Sequence, residues 1–300
     1  DIAPNYDTDQ VPGSAFNSFS GDLSGFSAQE VASKISIAEG IAGSYFIGQA
    51  GSSNNGACTP KNVSSLGDVR GLCPDEPTKQ GGFYSAAAAY YGHTTDLNPA
   101  DKEQKVTSYV VGLSSPLPRI EIPVGGKTIT LVPFAKSVGG CQGINGAPGA
   151  FQPTNQIVHL YVESLASDYG RFRISFEDQE QGADYDMDAI ASYTYQVTGN
   201  TVIITVDSSE FASSCIIQHL GFILSGTTED GTYLVVRDAD TDAGSDVNYY
   251  LDTPQHPNSA QPQNHTHTPP PNTNSGAIIL QTKIYYAAKW GGFDDINKCV

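Results

Sequence analysis

Apolar and polar residues follow a helical period in the first third of the chain. Ser27 stands three residues before Glu30, which is the spacing of a helix-capping box. Apolar side chains at Val31 and Ile35 then recur at helical intervals. This pattern predicts a helix over 28–42.

A second helix and a buried strand are expected further along. Small residues dominate 83–91, which predicts a helix packed closely against a sheet. The continuous β-prone run KVTSYVVGL at 105–113 is typical of a strand covered on both faces. Because a helix followed by a buried strand is typical of an open α/β sheet, we predict a partial α/β unit over 1–120.

Short runs with period-two alternation replace this pattern from about residue 120. The hairpin-forming dipeptides Gly199-Asn200 and Asp230-Gly231 separate some of them. Seven short strands predict a β-sandwich over 121–253, so the fold class is α+β. The candidate strands are 128–134, 156–163, 171–177, 189–198, 201–206, 219–225 and 232–237.

A proline-rich segment at 254–276 follows the predicted sandwich. It contains almost nothing that could enter a core, which predicts an exposed loop or linker. His265 and His267 within it could bind a transition metal, although two histidines without further ligands normally stay solvated. Ordered, partly apolar sequence resumes at 277.

Composition limits the classes of partner. The chain has 300 residues, enough for two units, and its 15 Lys and Arg against 32 Asp and Glu give a net charge of -17. This charge repels nucleic acid and anionic lipid and attracts divalent cations such as calcium. No apolar stretch approaches the ~20 residues that span a bilayer, so we expect no membrane insertion. A start at Asp1 indicates a removed signal peptide or an internal fragment.

The five cysteines favour disulfides over metal-thiolate chemistry, because no CxxC pair or zinc spacing is present. Cys58 and Cys73 bracket a loop rich in small and polar residues and are one candidate pair. Cys141 could pair with Cys215 if their strands adjoin. Cys299 is then left over, which suggests a partner in sequence not shown.

An acidic segment near 240 is the principal candidate metal site. Alternate carboxylates in a tight loop can surround one calcium ion. The EF-hand pattern is incomplete, because Ala243 replaces the expected glycine and Tyr249 the bidentate glutamate. An acidic surface turn is the alternative interpretation. The candidate ligands are Asp238, Asp240, Asp242 and Asp246.

A second acidic segment, 177–188, has six acids and no base. Charges this dense repel one another unless a cation is present. A cation shared with the first segment is one interpretation, and neutralisation by arginines is the other. The secondary candidate ligands are Asp184, Asp186 and Asp188, and the candidate arginines are Arg171, Arg173 and Arg237.

Catalytic motifs are absent from the sequence. It has no GxSxG elbow, HExxH, P-loop or GxGxxG after a strand, so we predict that the chain is not an enzyme. Paired carboxylates could in principle hydrolyse glycosides, but stacked aromatics are expected at a sugar subsite and Trp290 is the only tryptophan. A secreted carbohydrate-binding module or glycoside hydrolase is therefore the alternative hypothesis.

Six stretches of the sequence, spread in order over nearly the whole chain, resemble the PilY family of type IV pilus tip adhesins and pilus assembly proteins. They are 7–14 (DTDQVPGS), 76–82 (EPTKQGG), 115–121 (SPLPRIE), 176–188 (FEDQEQGADYDMD), 244–254 (GSDVNYYLDTP) and 287–293 (AAKWGGF).

This resemblance implies a middle fragment of a longer protein. Family members carry an N-terminal von Willebrand factor A domain and a C-terminal β-propeller. Residues 1–120 then correspond to the end of the A domain, with Asp1 where the last acid of its metal-ion-dependent adhesion site falls. Residues 277–300 connect to the propeller. Calcium at Asp238–Asp246 is our inference from the residues and is not implied by the family.

The resemblance also implies a function. Family members sit at the pilus tip with minor pilins and act in assembly, adhesion and twitching motility. We therefore expect a non-enzymatic, cation-stabilised adhesin or assembly module, exported through the periplasm to the extracellular bacterial cell surface. Its expected partners are minor pilins and a host or surface receptor. A structural spacer without any ligand is a third possibility.

Overall fold

The computed structural model of the protein describes eight stretches of the chain, 6–74, 80–111, 118–140, 156–177, 189–211, 216–237, 264–269 and 276–292. Its helices are α1 (Ala28–Glu39), α2 (Tyr84–Thr94) and α3 (Lys283–Trp290). Its strands are β1 (Gly43–Ala50), β2 (Ser53–Val63), β3 (Val69–Arg70), β4 (Ile120–Val124), β5 (Lys127–Gly140), β6 (Gln156–Leu165), β7 (Tyr169–Glu177), β8 (Ala189–Thr198), β9 (Thr201–Phe211), β10 (Ile216–Ser225), β11 (Gly231–Arg237), β12 (Asn264–His267) and β13 (Ile278–Ile279).

The strands form three sheets, so the fold is mostly β with three helices. The base sheet contains β13, β1 and β2 in that order, with β3 also paired to β1. The inner sheet has the order β11-β10-β5-β4, and the outer sheet has the order β12-β9-β8-β7-β6. All strand pairs of the inner and outer sheets are antiparallel. We call the inner and outer sheets together the sandwich, and residues 6–111 with 276–292 the base unit.

The predicted start of α1 is confirmed. The Ser27 hydroxyl accepts a hydrogen bond from the Glu30 N–H, at 3.4 Å, and satisfies one of the free donors of the first turn. Gly40 ends the helix in the left-handed conformation, with φ +66°, which glycine adopts without a Cβ penalty. The apolar stripe of α1, which includes Val31 and Ile35, faces the base sheet.

The central strand of the base sheet is buried on both faces. Tyr45 and Ile47 of β1 pack with the helices, whereas Phe46 between them packs against the inner sheet. The run Tyr-Phe-Ile therefore lacks the alternation of a half-exposed strand. The layers stack as helices, base sheet, inner sheet and outer sheet.

The core of the sandwich lies between the inner and outer sheets. Alternate side chains of β8 and β9, such as Tyr193 and Ile204, meet the alternate side chains Leu220, Phe222 and Leu224 of β10. The buried hydroxyl of Tyr193 donates to the Gly221 carbonyl at 2.8 Å and so links the two sheets. The seven predicted strands are confirmed as β5 to β11. The sequence did not predict β4 and β12.

The inner sheet also packs against the base unit through its second face. Val132 and Phe134 of β5 and Ile223 of β10 form one buried cluster with Phe46 and Cys58 of the base sheet. The Thr232 hydroxyl of β11 donates to the Cys58 carbonyl, and the Ser225 hydroxyl donates to the Ala277 carbonyl.

The chain returns to the base unit after the sandwich. β13 pairs parallel with β1, with Tyr45 opposite Ile278, and α3 packs against α2. Ring contacts reinforce this packing, with Phe83 and Tyr286 at 5.7 Å and Tyr90 and Trp290 at 5.3 Å between centroids. We expected a connection to a further domain from residue 277; what the structure describes there, up to residue 292, is part of the base unit.

The predicted buried strand at 105–113 is wrong over its described part. Residues 105–111 belong to no helix or strand, and Val111 is 99% exposed. Their backbone contacts helix ends instead, because the Val106 N–H donates to the Gly92 carbonyl and the Ser108 N–H to the Gly291 carbonyl. β13 and β2 take the positions beside β1. The predicted open α/β sheet is therefore not formed by the described residues, whose base sheet pairs β1 antiparallel with β2 and β3 and parallel with the two-residue β13.

The prediction of a loop or linker over 254–276 is wrong for Asn264–His267, which form β12. This short strand pairs with β9, with His267 opposite Val202. Prolines on either side do not prevent the pairing, because an edge strand uses only one of its hydrogen-bonding sides.

Candidate functional site

The disulfide predicted between Cys58 and Cys73 is confirmed. It ties β2 to the chain that follows β3. Cys58 is fully buried in the cluster between the base sheet and the inner sheet. The disulfide therefore holds the part of the base unit on which the sandwich rests.

Two of the stretches that carry the family resemblance meet in the base unit. One carboxylate oxygen of Asp7 accepts from the Gly82 N–H at 2.5 Å and the other from the Ser85 N–H at 3.2 Å. Since the N-cap residue of α2 contributes no side-chain hydrogen bond, Asp7 supplies an acceptor to the start of that helix. The Thr8 hydroxyl donates to the Gln80 carbonyl at 2.5 Å. These residues have a structural role.

The connections of the sandwich differ between its two ends. At the end that we call the turn end, β4–β5, β6–β7, β8–β9 and β10–β11 are joined by the short segments 125–126, 166–168, 199–200 and 226–230. At the opposite end, which we call the loop end, the strands are joined through 141–155, 178–188, 212–215 and 238–263. Three of these four connections are long. Long connections on a rigid sheet are where binding residues concentrate.

Strand register places these strand ends together. Phe176 at the end of β7 is opposite Ala189, and Ala189 is opposite Phe211. Only 212–215 separate Phe211 from Ile216, which pairs with Gly140 in the other sheet. The same sheet places His219 opposite Arg237.

Both acidic segments therefore connect strands that stop at the loop end. One leaves after Glu177 and the other after Arg237. The predicted ligands Asp238, Asp240, Asp242 and Asp246, and the secondary candidates Asp184, Asp186 and Asp188, lie outside the described residues, as does Asp1. Among the described residues, no three His, Cys, Asp or Glu side chains form a group that could hold a metal ion. The calcium site stays a prediction.

The second candidate disulfide also belongs to the loop end. Cys141, Cys215 and Cys299 lie outside the described residues. Cys141 follows Gly140 and Cys215 precedes Ile216, and these two described residues are register partners in neighbouring antiparallel strands. The sequence analysis made this disulfide conditional on the two strands being neighbours. The strands are neighbours, and the disulfide itself stays a prediction.

The turn end is fixed by tyrosine and aspartate side chains. The Tyr195 hydroxyl donates to the Ala166 carbonyl at 3.0 Å, and Gly170 makes room for this ring, since a Cβ there would lie 2.2 Å from it. The Asp230 carboxylate accepts from the Thr227 N–H at 2.7 Å and from the Ala277 N–H at 2.5 Å. Burial raises the pKa of Asp230 despite these hydrogen bonds. Asp230 joins the β10–β11 turn to the returning chain.

The described contacts between sandwich and base unit lie nearer to the turn end. They involve Val132, Phe134, Ile223, Ser225 and Thr232, together with the Asp230 turn. The loop end is thus the end of the sandwich farther from these contacts.

Comparison with known proteins identifies the family to which the chain belongs. A family model described as the β-sandwich of PilY1 homologs matches residues 122–275, more than half of the chain. The chain belongs to the PilY1 family. A second model, described as the second domain of PilY1 homologs, matches residues 1–92. The first of these matches covers the sandwich except the first two residues of β4, and the second includes residues 6–92 of the base unit.

One curated relative of this PilY1-family chain is the type IV pilus biogenesis factor PilY1 homolog of Xylella fastidiosa strain Temecula1. The two are 39% identical over 339 residues, which cover 97% of this chain and 22% of the relative. The chain thus spans less than a quarter of that relative's length. No solved structure matches the chain. None of these matches supports the carbohydrate-binding or glycoside-hydrolase alternative.

None of the helices in the described part of the chain is long and apolar enough to cross a membrane.

Proposed function

We propose that this chain is a non-enzymatic module of a type IV pilus biogenesis protein at the extracellular pilus tip. In this proposal the base unit is a rigid support and the loop end of the sandwich is the binding surface. Its partners are minor pilins and a host or surface receptor, and the protein reaches the cell surface through the periplasm. The family, and the name of the relative from Xylella fastidiosa, support the pilus role.

One observation carries the binding role. The long connections of the sandwich leave at the end farther from the described base-unit contacts, whereas the short turns are at the end nearer to them. In this proposal the long connections offer the binding residues, and the packed core of the sandwich holds the strand ends that carry them. Length variation is tolerated in such loops without cost to the core.

The fold also keeps the sandwich out of the path along which tension passes through the base unit. The base unit is made of residues before and after the sandwich, joined by β13 on β1 and by α3 on α2. Tension between the two parts of the base unit would therefore act first on their mutual packing. This supports a sandwich that keeps its binding surface folded while a pilus pulls.

Calcium is the proposed stabiliser of the loop end. Both acidic segments begin at strand ends gathered there, and the chain carries a net charge of -17. A hard divalent cation would relieve the repulsion between these carboxylates. The proposed ligands are Asp238, Asp240, Asp242 and Asp246, with Asp184, Asp186 and Asp188 as secondary candidates. Correspondence of the base unit to part of a von Willebrand factor A domain is proposed on the family resemblance alone.

Thermal melts of the purified chain test the calcium site. At ~1,000 times its dissociation constant, calcium should add about 4 kcal/mol to the free energy of unfolding. The melting temperature should then rise with calcium, and not with magnesium, at fixed ionic strength. Asp240→Asn should remove the rise, and Asp207→Asn, on the exposed face of the outer sheet, should keep it. Identical melts with calcium and with chelator would refute the cation site.

Adhesion tests the binding surface separately. Both substitutions are introduced into the full-length protein of the producing bacterium, and surface pili and adherent cells are counted. The proposal predicts that Asp240→Asn reduces adherence while pili are still assembled, and that Asp207→Asn changes neither. Unchanged adherence by a variant that has lost its calcium response would contradict a binding role for the loop end.

A further inference from the structure

The free edge of the outer sheet carries apolar side chains. β6 is the last strand of that sheet and pairs, among the described residues, only with β7. Tyr161 is 50% exposed, Val162 47% and Leu165 67%. Unpaired backbone groups beside exposed apolar side chains form a template for another strand.

Two other edge strands of the sandwich, β4 and β12, are protected in ways that β6 is not. β4 has five residues, and its exposed positions are Glu121 and Pro123. β12 has four residues and lies in the proline-rich segment. β6 has ten residues, QIVHLYVESL, with neither proline nor lysine. Its one charged residue, Glu163, is paired with Arg171 of the neighbouring strand. Lysine, proline and short length are usual means of preventing edge pairing, so their lack on β6 points to a partner strand.

The sequence of β6 complements itself when it is reversed about Tyr161. An antiparallel copy centred on this residue places Tyr161 opposite Tyr161, Leu160 opposite Val162 and His159 opposite Glu163. Ile157 then faces Leu165 at the two ends. Aromatic and apolar cross-strand pairs are each favourable, and an imidazole N–H opposite a carboxylate can donate a hydrogen bond to it. Each off-axis pair is formed twice and the central Tyr161 pair once, because the axis is two-fold.

We propose that β6 pairs antiparallel with β6 of a second copy of this chain, about a two-fold axis at Tyr161. The two outer sheets then form one continuous sheet.

Contacts on the exposed face of the outer sheet favour this arrangement. The Arg173 guanidinium lies over the Tyr161 ring at 5.3 Å, and the His159 ring stacks on Tyr161 at 6.4 Å between centroids. The Glu163 carboxylate accepts from Arg171 at 2.7 Å. These contacts fix the orientation of the β6 side chains that would meet β6 of the second copy. The pairing of β6 with β7 is irregular at Ile157/His159 and at Val162/Ser164, so the regular ladder is short and centred near the axis.

Charge sets the salt dependence of this association. Each copy carries a net charge of -17, and like charges oppose the approach of two copies. Salt screens this repulsion, with a Debye length of about 8 Å at physiological ionic strength. Dimer formation is therefore stronger at higher salt, the opposite of an association held by exposed ion pairs.

Cysteine cross-linking of the full 300-residue chain tests the register. Tyr161→Cys lies on the axis and forms a disulfide-linked dimer under mild oxidation, well above the unsubstituted chain. Leu165→Cys is more exposed but lies far from its own copy, and it gives no more dimer than the unsubstituted chain. His159→Cys and Glu163→Cys give little dimer alone and a cross-linked heterodimer when mixed.

Sedimentation provides an independent measurement. The unsubstituted chain shows a concentration-dependent dimer that increases with sodium chloride, whereas Val162→Lys stays monomeric with an unchanged melting temperature. The proposal is overturned if the chain is monomeric at every salt concentration. It is equally overturned if Leu165→Cys cross-links as well as Tyr161→Cys, because the contact is then nonspecific or has another register.

Discussion

Single residues at the boundary between sandwich and base unit have more than one task. Asp230 closes the β10–β11 turn and also holds the backbone of Ala277 where the chain returns to the base sheet. Thr232 and Ser225 add hydrogen bonds to the Cys58 and Ala277 carbonyls. The sequence indicated a turn at Asp230-Gly231 but gave no sign of the contact with Ala277, which is 47 residues away.

The raised pKa of Asp230 gives a pH prediction. The unfolded value is about 3.9, and burial raises the folded value above it. The folded state therefore binds the proton more tightly, so this contribution to stability is complete below the unfolded pKa and is lost as the pH rises through the folded pKa. In urea unfolding, the free energy of unfolding of the natural chain minus that of Asp230→Asn should therefore decrease between about pH 3 and pH 7. A difference that increases with pH would be inconsistent with the burial of Asp230.

Strands and helices with a strong local pattern were predicted well. β8 has the predicted bounds, and the Gly199-Asn200 turn joins it to β9 as expected. β1 and β2 were missed, because β1 is buried on both faces and β2 is rich in Asn, Gly, Pro and Lys. Residues 105–111 were assigned to a strand because their β propensity is high, but tertiary structure places other segments beside β1.

The packing of α3 predicts unequal effects for two adjacent tyrosines. Tyr286 is 4% exposed and contacts Phe83, whereas Tyr285 is 45% exposed. Tyr286→Ala should lower the free energy of unfolding by about 3–5 kcal/mol, as is typical of buried aromatic residues. Tyr285→Ala should lower it by about 1 kcal/mol or less. Denaturant unfolding compares the two, and equal losses would mean that α3 does not close the base unit.

The whole molecule is a base unit interrupted by a sandwich. The sequence indicated the family and the change from a helical to an alternating pattern near residue 120. It did not indicate the interruption, because the contacts of β13 and α3 with the first third of the chain span more than 200 residues. The candidate metal ligands came from the sequence, whereas their convergence at one end of the sandwich follows from strand register.

Force measurements on the chain held at residues 6 and 292 test the interrupted fold most directly. We predict that the base unit opens first and that the sandwich unfolds only afterwards, because tension reaches the sandwich only when β13 and α3 have separated from β1 and α2. Ile174→Ala, in the sandwich core, should lower the force of the second event and leave the first unchanged. A sandwich that unfolds first, with its event weakened by Ile174→Ala, would contradict the account.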